Sequence, residues 1–102
     1  MGNFVLVYKG GGMAETPAAQ EAAMKAWGEW FGTLGSSVVE IGNPFGASTA
    51  VNSDGSAGTA TAGLSGYSVL QADSLELAAK LATGCPVLAS GGSVEVYEAI
   101  AM

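Results

Sequence analysis

Residues 3–9 read Asn-Phe-Val-Leu-Val-Tyr-Lys, and both alternate sets of that run are apolar. In a strand, Phe4, Leu6 and Tyr8 point one way and Val5 and Val7 the other. Such a strand asks for cover on both faces. The chain has 102 residues, enough for one domain spanning 1–102. A two-layer domain of that size covers one face of its sheet and leaves the other as an apolar patch. Pairing two sheets face to face in a symmetric dimer removes the patch. A homodimer, with room for pairing into a higher oligomer, is therefore expected.

The rest of the chain supplies the helical layer. Thr16-Pro17 reads as an N-cap followed by a first helical residue. Ala23, Trp27, Trp30, Phe31 and Leu34 then fall within about 100° of helical arc, and Gly35 is placed to cap the end. Val38–Ile41 reads as a second strand, broken by Gly42-Asn43-Pro44. A short polar strand is expected at 48–52 and a turn at Ser53-Asp54-Gly55-Ser56. Residues 57–63 read as a loop or weak edge strand. Tyr67–Ala72 is a strand. Asp73 reads as the cap of a second helix, with Glu76 completing a capping box. Leu77, Ala78 and Leu81 lie on one side of that helix, Gly84 ends it, and Cys85-Pro86 blocks its continuation. Gly91-Gly92 leads into a last strand, 93–100. The order predicts an α+β fold of the ferredoxin-like βαββαβ type: an antiparallel sheet with two helices on one face.

Charge and residue types exclude several chemistries. Three Lys face nine Asp and Glu, the net charge is −6, and there is no His. Nucleic-acid binding depends on cations that neutralise phosphates, so no nucleic-acid partner is expected. An anionic membrane surface is disfavoured for the same reason. The longest apolar run, Phe4 to Tyr8, is far below the ~20 residues of a membrane span, and no signal-like stretch is apparent. A His-based triad and a His-ligated zinc site are impossible. Cys85 is the sole cysteine and has no internal partner, which suits a reducing cytoplasm. No cofactor or metal is expected.

Gly10-Gly11-Gly12 sits between a strand and a helix, yet no Lys-Ser/Thr follows, so it reads as a connection and not a phosphate cradle. Cys85 lacks a base to activate it and reads as a small buried hydrophobe. Asp54 reads as a turn residue. The tryptophans and Phe31 read mainly as core. Among the strand carboxylates Glu40, Glu95 and Glu98, alternation sets Glu95 beside Tyr97 and opposite Val94, Val96 and Glu98. Six residues are candidates to line a ligand cleft: Tyr8, Trp27, Glu40, Tyr67, Glu95 and Tyr97.

Four stretches resemble the YCII-related (DGPF-domain) family of small bacterial proteins. They are FVLVYKGG, MKAWGEWFGTLG, LSGYSVLQADSLELAAKLATGCPVL and GGSVEVYEAIAM. The resemblance implies the ferredoxin-like fold and a dimeric, barrel-like association through the sheets. Some family members carry a His–Asp pair in a pocket. Without a His, this chain cannot carry that pair, and the Asp-Gly-Pro-Phe tetrapeptide is also missing around 54–63. The expected function is small-molecule binding in a cleft at the sheet and dimer interface. Two alternatives are a His-free acid–base enzyme, with a buried Glu transferring protons in an isomerase or lyase reaction, and a structural or regulatory module that docks a protein.

Overall fold

The structure is a computed structural model that describes residues 2–10 and 16–100. Gly11 and Gly12 of the glycine run lie outside the described residues. The elements are β1 (Gly2–Lys9), α1 (Pro17–Leu34), β2 (Val38–Glu40), β3 (Ala50–Val51), β4 (Ala57–Gly58), β5 (Leu64–Ala72), α2 (Leu75–Ala82), α3 (Pro86–Ala89) and β6 (Ser93–Ala99). Four strands form an antiparallel sheet in the order β2-β5-β1-β6. This α+β arrangement is compatible with the ferredoxin-like fold.

The helices pack on the face that carries Leu6, Tyr8 and Leu70. Trp30 and Leu34 of α1, Ala82 of α2, and Cys85 and Val87 join those three in one buried cluster, and Phe4, Ala72 and Ala78 form a second. Phe4, Leu6 and Leu70 are almost wholly removed from solvent. Burying a side chain of that size contributes roughly 1.5–3 kcal/mol.

Helix α1 begins as its sequence suggests. The Thr16 hydroxyl accepts from the Ala19 N–H at 3.1 Å, Pro17 takes the first helical position, and Gly35 follows the end at φ 57°. Ala23, expected on the packed face, is exposed, as is all of 16–25. Contact with the core begins only near Trp27.

Helix α2 corrects two local readings. Its N-cap is Ser74, not Asp73: the Ser74 hydroxyl accepts from the Leu77 N–H at 3.1 Å. Glu76 still occupies the first turn, where a carboxylate suits the helix dipole, but the shifted cap removes the capping box. Of the side read from the sequence, Ala78 is buried and Leu81 packs against the core, whereas Leu77 points outward and Ala82 takes its place inside. The helix ends at Ala82, before Gly84, with Thr83 as its C-cap. Pro86 does more than stop a helix, since it opens the short α3 with Cys85 as its cap. A proline fits a first helical position because no N–H is needed there.

The segment 50–58 forms a small hairpin of its own, β3 with β4, apart from the main sheet. Its turn is held as Asp54 suggests: one carboxylate oxygen accepts from both the N–H and the hydroxyl of Ser56. Those bonds hold the Asp54 carboxyl below its ordinary value. No helix among the described residues is long and apolar enough to cross a membrane.

Candidate functional site

The face opposite the helices is open. Strand register defines what lies on it, because directly paired residues share a face. One row across the sheet is Glu40, Val69, Val5 and Tyr97, and the next is Tyr67, Val7 and Glu95. Val5, Val7 and Val69 are only half-buried. They form an apolar floor in the middle of the sheet.

Two tyrosine–carboxylate pairs flank this floor. Toward the β2 edge, the Tyr67 hydroxyl donates to Glu40 Oε1 at 2.8 Å. On β6, the Tyr97 hydroxyl donates to Glu95 Oε1. The neighbouring anion favours the neutral phenol, so the pKa of each tyrosine is raised above 10.0. The Glu95 carboxyl is instead held below its ordinary value. The main cause is the Tyr97 hydroxyl, with Lys9 adding to it. Lys9 Nζ stands 3.5 Å from Glu95 Oε2.

The structure therefore divides the six residues picked out from the sequence. Glu40, Tyr67, Glu95 and Tyr97 share the open face. Tyr8 and Trp27 lie on the helix side of the sheet, their rings edge to face with centroids 4.9 Å apart. The Tyr8 hydroxyl donates to Ser68 Oγ at 2.6 Å, and the Ser68 hydroxyl donates to the carbonyl of Ile41. Burial pushes the Tyr8 phenol up to about 12. Trp30 donates its indole N–H to the Leu81 carbonyl at 3.3 Å and packs against Trp27 and Phe31. The aromatic stripe of α1 faces the core: Trp30 is buried, and Trp27 and Phe31 pack half-buried against the same cluster. Cys85 is buried, and burial pushes its thiol up to about 11. A thiol that hard to ionise is a poor nucleophile.

The apolar patch of Val5 and Val7 matches the expectation that one face of β1 is left uncovered, whereas Lys9 and Phe45 were missed as parts of this face. Lys9, Val5 and Val7 share one alternation in β1, so parity alone could have grouped them. Phe45 had no such signal. Gly42 does turn the chain, at φ 79°, where a Cβ would overlap the Tyr67 carbonyl. Beyond it the chain rejoins the sheet: Pro44 bridges to Gly66, and the Phe45 N–H donates to the Ser65 carbonyl at 2.9 Å. This return stacks Phe45 on Tyr67, centroids 5.9 Å apart and planes at 16°. Beside Phe45 is a shallow cavity of about 240 Å³ lined by Phe45, Ala47, Ser48, Ala60, Thr61 and Leu64, among others. Among the described residues, no group of three or more His, Cys, Asp or Glu is placed to hold a metal ion.

No family model, no curated protein and no solved structure matches this chain.

Proposed function

We propose that the open sheet face is a small-molecule binding cleft, closed by a second copy of the chain in a cytoplasmic homodimer of the YCII-related kind. The observation that carries this reading is the uncovered valine floor between the Tyr67–Glu40 and Tyr97–Glu95 pairs. Apolar walls with a few fixed polar groups are the usual makings of a ligand site.

The chain exposes 6800 Å², whereas a compact monomer of its mass exposes about 5,300 Å². Its radius of gyration is 14.9 Å, against about 13 Å for a compact domain of this length. The added surface is shared between the exposed first half of α1 (16–25), the separate hairpin at 50–58 and the open sheet face.

The enzyme reading needs a carboxylate that takes up protons readily. Glu95, held below its ordinary value by Tyr97 and Lys9, is a weak base at neutral pH. That favours binding over proton transfer at this position. Native mass spectrometry of the purified protein tests the proposal. The expected result is a dimer carrying extra small-molecule mass that is lost on denaturation. A bare monomer would contradict it.

A further inference from the structure

We infer that the outer edge of β6 takes the β6 strand of a second copy, antiparallel and two-fold symmetric about Val96. The contact lies on the rim of the sheet, so it goes beyond the binding cleft proposed above and does not need it.

The two rims of the sheet are finished differently. Beyond β5 the chain closes the rim with short, irregular pieces. β2 is three residues long, and its register shifts between Val38 and Glu40. After Gly42 the chain continues along β5. The Tyr67 N–H donates to the Asn43 carbonyl at 3.3 Å, Pro44 bridges to Gly66, and the Phe45 N–H donates to the Ser65 carbonyl at 2.9 Å. A very short strand, an irregular register and a proline are common means of keeping a rim from adding a strand. β6 has none of them. It is seven residues long, contains neither Pro nor Lys, and pairs with β1 without a register shift. Among the described residues, β1 is the only strand beside it. Its outer row of backbone N–H and carbonyl groups is a template for another strand.

The side chains of β6 point to a second copy as the occupant. Directly opposed residues of an antiparallel pair share a face, so a two-fold axis passes through one residue of the strand. An axis through Val96 pairs all seven residues of Ser93–Ala99. Ser93 then meets Ala99, Val94 meets Glu98, Glu95 meets Tyr97, and Val96 meets its own copy. No carboxylate stands directly opposite another. The Tyr97 hydroxyl, which donates to Glu95 of its own strand, comes beside Glu95 of the other copy as well. An axis through Glu95 or Glu98 would set carboxylate against carboxylate, which is unfavourable. Axes through Val94 or Tyr97 leave part of the strand unpaired. The two glutamates thus select the central register.

The contact is narrow. A seven-residue strand pair belongs with the small interfaces, below about 1,200 Å² in total, and two copies at net −6 repel one another. Edge pairing is therefore a millimolar association, weaker than the face-to-face pairing proposed above, and it would join face-paired dimers side by side.

The test is disulfide trapping in the full chain. Ser93→Cys and Ala99→Cys alter exposed positions at opposite ends of β6. Equal amounts of the two variants are mixed at millimolar concentration and oxidised with glutathione disulfide, and the links are read by mass spectrometry. Opposed α-carbons of an antiparallel pair lie about 4.5–5.5 Å apart, within disulfide reach. Like ends lie roughly 20 Å apart across the contact. The 93–99 link should exceed the 93–93 and 99–99 links at least tenfold, and the buried Cys85 should stay reduced. Tyr97→Glu, which opposes carboxylates, should cut the yield severalfold, and Tyr97→Lys should raise it. Adding Val7→Asp to both variants should leave the yield unchanged. Loss of the link with Val7→Asp would overturn the edge assignment and move the contact to the open face. Equal amounts of all three links would overturn the register. Absence of any link would overturn self-pairing and leave the edge to an extended segment of a different protein.

Discussion

The two faces of the sheet come from the same strands and even from the same residue types, yet they differ in what closes them. On the helix face, Phe4, Leu6 and Leu70 are almost completely buried. The tyrosine on that side, Tyr8, donates to a neutral serine. On the open face, valines replace the larger side chains, and both tyrosines donate to carboxylates. All three phenols have raised pKa values, for different reasons. Burial is the main cause for Tyr8, and a neighbouring anion is the main cause for Tyr67 and Tyr97. One face is complete within the chain. The other carries the valine floor and the two tyrosine–carboxylate pairs and has no helix over it.

The largest effect that separates the faces is a core truncation. Leu6→Ala should lower unfolding free energy by about 3 kcal/mol in urea titrations, because Leu6 is wholly enclosed. A loss below about 1 kcal/mol would mean that the helix face is not the folding core.

Ser68→Ala comes next. It removes the acceptor of Tyr8 and the donor to Ile41, and should cost about 2 kcal/mol, since a buried hydroxyl loses its partner. The same urea titrations measure it.

A pH titration of the phenols by ultraviolet difference spectroscopy separates the two causes. Tyr8 should ionise near 12 and Tyr67 and Tyr97 above 10.0. Glu40→Gln should return Tyr67 toward 10.0 and leave Tyr8 where it is. The sign for stability follows from the raised folded value. The Tyr8 contribution is fully present below pH 10, the unfolded value, and is lost as pH rises toward about 12.

The smallest effect is on the open face. Lys9→Ala removes the pair with Glu95, whose side chains are 39% and 42% exposed, and should change stability by less than about 0.5 kcal/mol. A larger loss would show that the pair is more enclosed than a free surface allows.

How far these faces could be read from residues alone depends on the range of the forces involved. The alternation of β1 separates Phe4, Leu6 and Tyr8 from Val5 and Val7, and the structure keeps that division. The start and end of α1 are also local, set by Thr16, Pro17 and Gly35. The cap of α2 is local too, but Asp73 and Ser74 are both good capping residues, and sequence alone does not separate them. Packing, a tertiary choice, sets which side of α2 is buried, with Ala78 and Ala82 inward and Leu77 outward. The split among the six cleft candidates was not legible, because which alternate set of β1 meets the helices is a tertiary choice. Phe45 was hidden for the same reason. Gly42-Asn43-Pro44 breaks the strand locally, and only the free edge of β5 draws the chain back to stack Phe45 on Tyr67.

Sedimentation equilibrium, run on the unaltered chain and on Val7→Asp at tens of micromolar, tests most directly whether a second copy closes the open face. The unaltered chain should sediment at twice 10.1 kDa. Val7→Asp, which puts a charge in the middle of the valine floor, should sediment at 10.1 kDa with its far-ultraviolet circular dichroism unchanged. An unaltered chain that sediments at 10.1 kDa, or a Val7→Asp dimer as tight as the original, would contradict the account.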